Sequence, residues 1–232
     1  MLRRLTIILG IGLMTGIATA QDETVLKSQK EKLSYALGLD LGTQLKKQSV
    51  ELDLEVFARA LKDSLSGGKT LMTEQEARLA IMELQNQLRQ KQAEQLKVQG
   101  EANKKEGEEF LAANKAKEGV VSLASGLQYK ILKAGEGKKP TLDDTVTCNY
   151  RGTLINGTEF DSSYKRNVPA SFQVKGVIKG WVEALQLMPV GSKWQLFIPS
   201  SLAYGERGTS GTIGPNATLI FEVELLSIKD KQ

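Results

Sequence analysis

Leu127-Gln128-Tyr129-Lys130-Ile131 alternates apolar and polar residues with a period of two, the pattern of a strand that buries one face. Further runs of strand character follow at 145–152, around Phe160, at 193–198 and at 218–228. Among them Ile178, Trp181, Val182 and Leu185 recur at helical spacing, which predicts one short helix. Strands in succession with a single helix between them read as an α+β domain, an antiparallel sheet against one helix.

Upstream of Gly119 the period is helical. Leu26, Leu33, Leu37, Leu41 and Leu45 fall on one face of a first predicted helix. A second begins near Asp53, turns Leu54, Phe57, Ala58, Leu61 and Leu65 inward and stops at Gly67-Gly68, where paired glycines end a helix readily. A third opens with the capping box Thr73-Glu74-Gln75-Glu76 and runs without proline to about Lys117. At 1.5 Å per residue that is roughly 65 Å, far more than a small domain needs, so its middle is expected in solvent. Ile81, Leu84 and Leu88 give its start an apolar stripe, glutamine, lysine and glutamate dominate 85–99, and Phe110 and Leu111 restore an apolar patch. Apolar a/d positions are not sustained for the heptads of a coiled coil. The reading is a semi-rigid arm with bends at Gly100 and Gly107, since glycine weakens a helix interior by about 1 kcal/mol relative to alanine.

The N-terminus stands apart. Arg3 and Arg4 precede an apolar run that ends in Ala18-Thr19-Ala20, the form of a cleaved signal peptide. The run is shorter than the ~20 apolar residues that span a bilayer, and no cysteine follows Ala20 to carry a lipid. The expected product is exported, periplasmic or at the outer surface, and does not span the membrane. The organisation read from the chain is a signal peptide at 1–20, a helical region at 21–70, a long connecting helix at 71–118 and the sheet domain at 119–232.

Charge and composition narrow the chemistry. Residues 21–118 carry 16 basic and 17 acidic side chains, and residues from 119 onward 13 and 10, so neither half has the electrostatic footprint of a nucleic-acid binder. The sequence has no histidine and one cysteine. Histidine-dependent triads and general bases are excluded, one cysteine cannot make a structural zinc site, and no intramolecular disulfide can form. Cys148 sits in the strand-like Thr145-Val146-Thr147-Cys148-Asn149-Tyr150 and is expected buried and inert. Phosphate loops and metal-ligand spacing are absent, and no cofactor is expected. What remains is a concentration of aromatics, Tyr150, Phe160, Phe172, Trp181, Tyr204 and Phe221, that could line a cavity or simply fill a core.

Tyr150-Arg151-Gly152-Thr153-Leu154, Gly157-Thr158-Glu159-Phe160-Asp161-Ser162-Ser163 and Val177-Ile178-Lys179-Gly180-Trp181 resemble, in order, successive signatures of the FKBP family of peptidyl-prolyl cis/trans isomerases. Ile198-Pro199-Ser200, Ala203-Tyr204-Gly205 and the run from Pro215 to Leu225 resemble its closing segments. The helical half, with Ser34-Tyr35-Ala36-Leu37-Gly38, resembles the N-terminal region of macrophage-infectivity-potentiator-type proteins. Those are dimers joined through that region. The resemblance implies an FKBP-like sheet wrapped on the short helix, and a homodimer through the N-terminal helices. Gly38 and Gly42, four apart, would let a second helix approach closely, although packing within the monomer accounts for them equally well. Three helices make a thin core, and association would bury their remaining leucines.

The resemblance also implies a proline pocket formed by Tyr150, Phe160, Val177, Ile178, Trp181, Tyr204, Ile213 and Phe221, with Trp181 as its floor. Asp161 would be the polar group at its wall, acting near the twisting carbonyl or as the structural partner of Arg166. The Ile178 N–H and the Tyr204 hydroxyl would bind the substrate backbone. Asp161, Tyr204 and Phe160 are the implied catalytic residues, and Arg166 belongs to the implied binding set. Ala170, Thr209 and Thr212 are smaller than the residues common in the family's small members, which implies a more open rim and leaves macrolide affinity and peptide preference open.

Such chemistry needs no histidine. Amide resonance sets a rotation barrier of about 18–20 kcal/mol, and an apolar cavity favours the twisted amide, whose charge separation is reduced. Two functions stand side by side. One is an isomerase that speeds proline-limited folding of exported, proline-containing clients; the other is a chaperone or surface interaction protein whose cleft holds clients without turning them.

Overall fold

The computed structural model describes residues 26–229. The signal peptide expected at 1–20 lies outside the described residues. Among them, no helix is long and apolar enough to cross a membrane. The chain divides into two compact units at Thr73–Glu74, so the long third helix clusters with the sheet rather than with the first two helices.

In the first unit, α1 (Gln29–Lys47) starts at a capping box. The Glu31 N–H donates to Ser28 Oγ at 3.2 Å, and the Ser28 N–H returns to Glu31 Oε2 at 3.0 Å, which satisfies two otherwise free helix donors. Leu26, expected on this helix, precedes it. Helix α2 (Leu54–Ser66) is capped by Asp53, which accepts from the Glu55 and Val56 N–H groups, and it ends at Gly67 in the left-handed conformation, φ 66°. The inward faces read from the sequence are not inward in the single chain. Neither helix has a buried residue, and Leu37, Leu54 and Leu65 are 64%, 74% and 80% exposed. Two short helices have too little surface to enclose a core between them.

The second unit begins with α3 (Glu74–Asn114), which runs unbroken for 41 residues. The helix continues through Gly100 and Gly107, where bends are expected from the sequence. Both glycines are buried, and a Cβ on Gly100 would lie 3.1 Å from Pro215 Cβ while one on Gly107 would overlap Thr218 Oγ1. They are points of close approach between the helix and the sheet domain, which explains why the lower helix propensity is tolerated. At the C-terminal end of α3, Asn114 Nδ2 donates to Gln128 Oε1 at 3.0 Å and Gln128 Nε2 donates to the Leu111 carbonyl at 2.9 Å.

The sheet that follows consists of β1 (Val120–Ser122), β2 (Gln128–Lys133), β3 (Thr145–Leu154), β4 (Glu159–Ser162), β5 (Ala170–Gln173), β6 (Lys193–Ile198) and β7 (Leu219–Lys229). Its order is β1-β2-β6-β7-β3-β4, with β5 also paired to β3, and every pairing is antiparallel. A one-turn helix, α4 (Ser163–Arg166), and the helix α5 (Lys179–Leu187) lie between strands. Along β3 the burial alternates, Val146, Cys148 and Tyr150 facing the core, as a half-buried strand requires. From α5, Trp181, Ala184 and Leu185 join Val146, Leu196, Val223 and Leu225 in one apolar cluster. Gly180 lets α5 approach β6 closely, since a Cβ there would stand 2.5 Å from Ile198 Cγ2.

Candidate active site

A cavity of about 700 Å³ opens between β3, β4, β5, β7, the start of α5 and residues 204–213. Of the site residues named from the sequence, Tyr150, Phe160, Asp161, Val177, Ile178, Trp181, Tyr204, Ile213 and Phe221 all line it. Phe172 lines it too; its aromatic character singles it out in the sequence, but no motif carries it into the site. Gly176, Ser210 and Gly211, also in the lining, carry no signal of their own. Thr209 and Thr212 form part of the wall as expected for a rim, whereas Ala170 lies outside the lining and packs against the core.

The apolar wall is built ring on ring. Trp181 is 4% exposed and makes edge contacts with Tyr150, Phe172 and Phe221 at centroid separations of 5.4, 5.6 and 5.2 Å. Phe160 meets Phe221 edge-on at 5.4 Å. These are favoured edge-to-face arrangements that hold the rings in place. Strand alternation delivers Tyr150 from β3 and Phe221 from β7, and the first turn of α5 delivers Trp181. The Trp181 and Val182 N–H groups both donate to the Ile178 carbonyl, at 2.9 and 3.0 Å, which fixes the chain at Ile178.

One polar corner interrupts this wall. The Tyr150 hydroxyl donates to Asp161 Oδ2 at 2.6 Å, Arg166 Nη1 donates to Asp161 Oδ1 at 2.6 Å, and Arg166 Nη2 donates to the Tyr150 hydroxyl at 2.7 Å. Arg166 stands outside the lining and closes this triangle from behind, with its guanidinium carbon 5.6 Å from the Tyr150 ring centre. Burial pushes the Asp161 carboxyl up, but the hydrogen bonds from Tyr150 and Arg166 outweigh it and leave the group below its ordinary value. Burial, followed by the Asp161 hydrogen bond, pushes Tyr150 up, so its proton stays in place as a donor. The corner presents a fixed carboxylate beside the aromatic wall of the cavity. Tyr204, 41% exposed, stands in the lining without burial.

A deep aromatic cavity with one fixed carboxylate, on an antiparallel sheet around a short helix, describes a protein that binds a compact apolar group next to a polar one. Comparison with known proteins gives that class its family. Residues 136–226 match the model "FKBP-type peptidyl-prolyl cis-trans isomerase", and residues 30–131 match "domain amino terminal to FKBP-type peptidyl-prolyl isomerase". The outer membrane protein MIP of Legionella longbeachae is 48% identical over 222 residues, 96% of this chain and 95% of that protein. The peptidyl-prolyl cis-trans isomerase Mip of Coxiella burnetii is 47% identical over 223 residues, 96% of each. The crystal structure of FkpA from Escherichia coli superposes with a TM-score of 0.70 at 35% identity, covering 88% of this chain and 99% of that one. The chain belongs to the FKBP-type peptidyl-prolyl cis-trans isomerases, and its relatives of macrophage-infectivity-potentiator type match it along nearly its whole length.

Proposed function

We propose that the aromatic cavity is where this isomerase turns the X-Pro bond, that its clients are exported, proline-containing polypeptides, and that it works in the periplasm or at the outer surface as a homodimer joined through α1 and α2. The observation that carries the site is the joining of the Trp181-centred ring cluster to the Asp161–Tyr150–Arg166 triangle in one cavity. A prolyl ring fits against Trp181, Phe160, Val177 and Phe221. Leaving water removes solvation from the planar, charge-separated amide more than from the twisted one, which lowers a barrier of about 18–20 kcal/mol without breaking a bond. In this reading the Asp161 carboxylate acts electrostatically on the twisting carbonyl, and the Ile178 N–H and Tyr204 hydroxyl hold the substrate backbone; all three residues line the cavity.

The dimer rests on the exposed leucines of α1 and α2, which a second copy would cover. Export rests on the leader-like first twenty residues. Two cavities on one dimer would raise the local concentration of client at each, so holding clients accompanies turning them.

The deciding experiment is the cis-to-trans rate of a short X-Pro peptide with the mature protein, beside Asp161→Ala and Trp181→Ala. Acceleration by wild type that both changes weaken supports the assignment. Acceleration untouched by Trp181→Ala would remove catalysis from this cavity. A folded wild type that accelerates nothing, yet suppresses aggregation of a proline-free client, would leave the holding function alone.

A further inference from the structure

One wall of the cavity belongs to a loop that buries Ile213 and Pro215. Residues 205–218 pass through three positive-φ turns, at Gly205, Gly208 and Asn216, and carry Thr212 and Ile213 into the cavity. Thr212 also lines a second, smaller cleft of about 120 Å³, whose other walls include Gln99, Asn103 and Glu106 of α3. One stretch of chain therefore separates the isomerase cavity from the long helix.

The helix holds this loop by its base. Asn103 Nδ2 donates to the Pro215 carbonyl at 2.7 Å, and Asn216 Nδ2 donates to the Gly100 carbonyl at 3.3 Å. The absence of a side chain at Gly100 admits Pro215, and a Cβ on Gly214 would stand 2.9 Å from Gln99 Nε2 and 3.1 Å from Asn103 Nδ2. From this base the loop is tied upward. The Asn216 N–H donates to the Gly205 carbonyl at 2.8 Å, and the Thr209 N–H donates to the Ile213 carbonyl at 2.8 Å. A helix outside the sheet thus helps to place residues inside the cavity, through the Pro215 carbonyl.

We propose that Asn103 is a positioning residue of the isomerase: by holding the Pro215 carbonyl against α3, with Gly100 as the point of approach, it sets the Thr212–Ile213 wall of the cavity and so the affinity for the prolyl substrate. It touches no reacting atom. Its effect belongs in substrate binding rather than in the turning step, because the ring cluster and the Asp161 corner stand on β3, β4, α4, β5, α5 and β7, none of which carries this contact. The inference rests on the cavity being the catalytic site.

The test uses the full mature chain with Asn103→Ala, Asn103→Asp, which keeps the shape but loses the donor, and Gly100→Ala, which favours the helix while crowding Pro215. KM and kcat are measured on a short X-Pro peptide, together with the methyl resonances of Ile213 and Ile178. Expected is a KM raised by about threefold or more with kcat within about twofold, a shifted Ile213 methyl and an unmoved Ile178 methyl in all three variants. An Ile213 methyl that stays in place, or KM and kcat that fall off together as melting temperature drops, overturns the proposal. Trp181→Ala in parallel keeps the two readings apart: if peptide turnover survives it, the cavity assignment fails, and the Ile213 methyl still reports whether Asn103 holds the loop.

Discussion

The Tyr150 hydroxyl and the Asp161 carboxylate are joined at 2.6 Å across the mouth of an aromatic cavity, and the Arg166 guanidinium bonds to both. Tyr150 is almost wholly buried, at 5% exposure, while the Asp161 side chain is 43% exposed. The buried ring thereby holds a solvent-touched charge in one orientation. Hydrogen bonds to a charged group contribute about 1.5–3 kcal/mol when buried, and less where water screens them.

Removing either end separates ring from charge. Tyr150→Phe keeps the edge contact with Trp181 and deletes only the hydroxyl, so it is expected to lower kcat/KM by roughly tenfold, about 1.4 kcal/mol, with the fold intact by circular dichroism. Asp161→Asn is expected to cost at least as much. Arg166→Ala should cost less, because Arg166 stands outside the lining. Equal rates for wild type and Asp161→Asn would make the carboxylate a structural partner of Arg166 alone.

The pH dependence follows from the same corner. The folded Asp161 carboxyl lies below its ordinary value of 3.8. Its ionised form therefore contributes stability fully above the unfolded pKa, about 3.9, and that contribution is lost as pH falls through the folded value. Tyr150 is shifted the other way, above 10.0, so its contribution is complete below the unfolded value and lost only as pH rises through the folded one. With no histidine in the sequence, kcat/KM on an X-Pro peptide is expected flat from about pH 5 to 8. A bell-shaped profile within that window would show that some other titrating group takes part.

Cys148 lies in β3 opposite Leu225 of β7 and Ala170 of β5, is 0% exposed, and has its thiol pushed up to about 12 by burial. Ala170, paired with Cys148, is half-buried against the core and lies outside the cavity lining. The native protein is expected to resist a thiol reagent at pH 8 and to react fully in denaturant. Cys148→Ser should destabilise by about 1–3 kcal/mol, the cost of a hydroxyl left without a partner, read as a lower urea midpoint. Fast labelling of the native state would mean that β3 opens locally.

Much of this architecture is legible in the residues. Strand β6 falls on the limits read from the sequence, and the six aromatics singled out there all reach the cavity wall. Strands β1 and β5 are not legible from a period of two, since three or four residues barely establish one; β4, equally short, is read only as a place around Phe160. Ser210 and Gly211 escape for a related reason: small and without a pattern of their own, they enter the wall only because the loop's turns bring them there, whereas Thr209, Thr212 and Ile213 of the same loop are carried there by the resemblance. Gly100 and Gly107 are open to two readings, since a glycine in a helix marks either a weak point or a close neighbour, and only the neighbours Pro215 and Thr218 decide between them. The leucines of α1 and α2 follow the helical period faithfully, yet period reports which face is apolar and not what covers it.

Gly152 ties the sheet to the cavity. It sits in β3 beneath two of the lining rings, where a Cβ would come within 2.6 Å of Phe160 Cε2 and 2.7 Å of Phe221 Cε1. Neither ring can retreat freely, since the two pack edge-on against each other and Phe221 also packs against Trp181. The added methyl of Gly152→Ala must therefore push at least one ring into the cavity or distort the strand, with an overpacking penalty of about 1–3 kcal/mol. The expected result is a raised KM together with a lower melting temperature. Phe160→Leu in the same chain removes the ring atoms nearest the new methyl, so the double variant should recover stability relative to Gly152→Ala. It should not recover full activity, because the proposed prolyl site has lost one aromatic wall. Recovery of both would mean that Phe160 contributes volume and no specific contact; recovery of neither would mean that the strain resides in the backbone of β3.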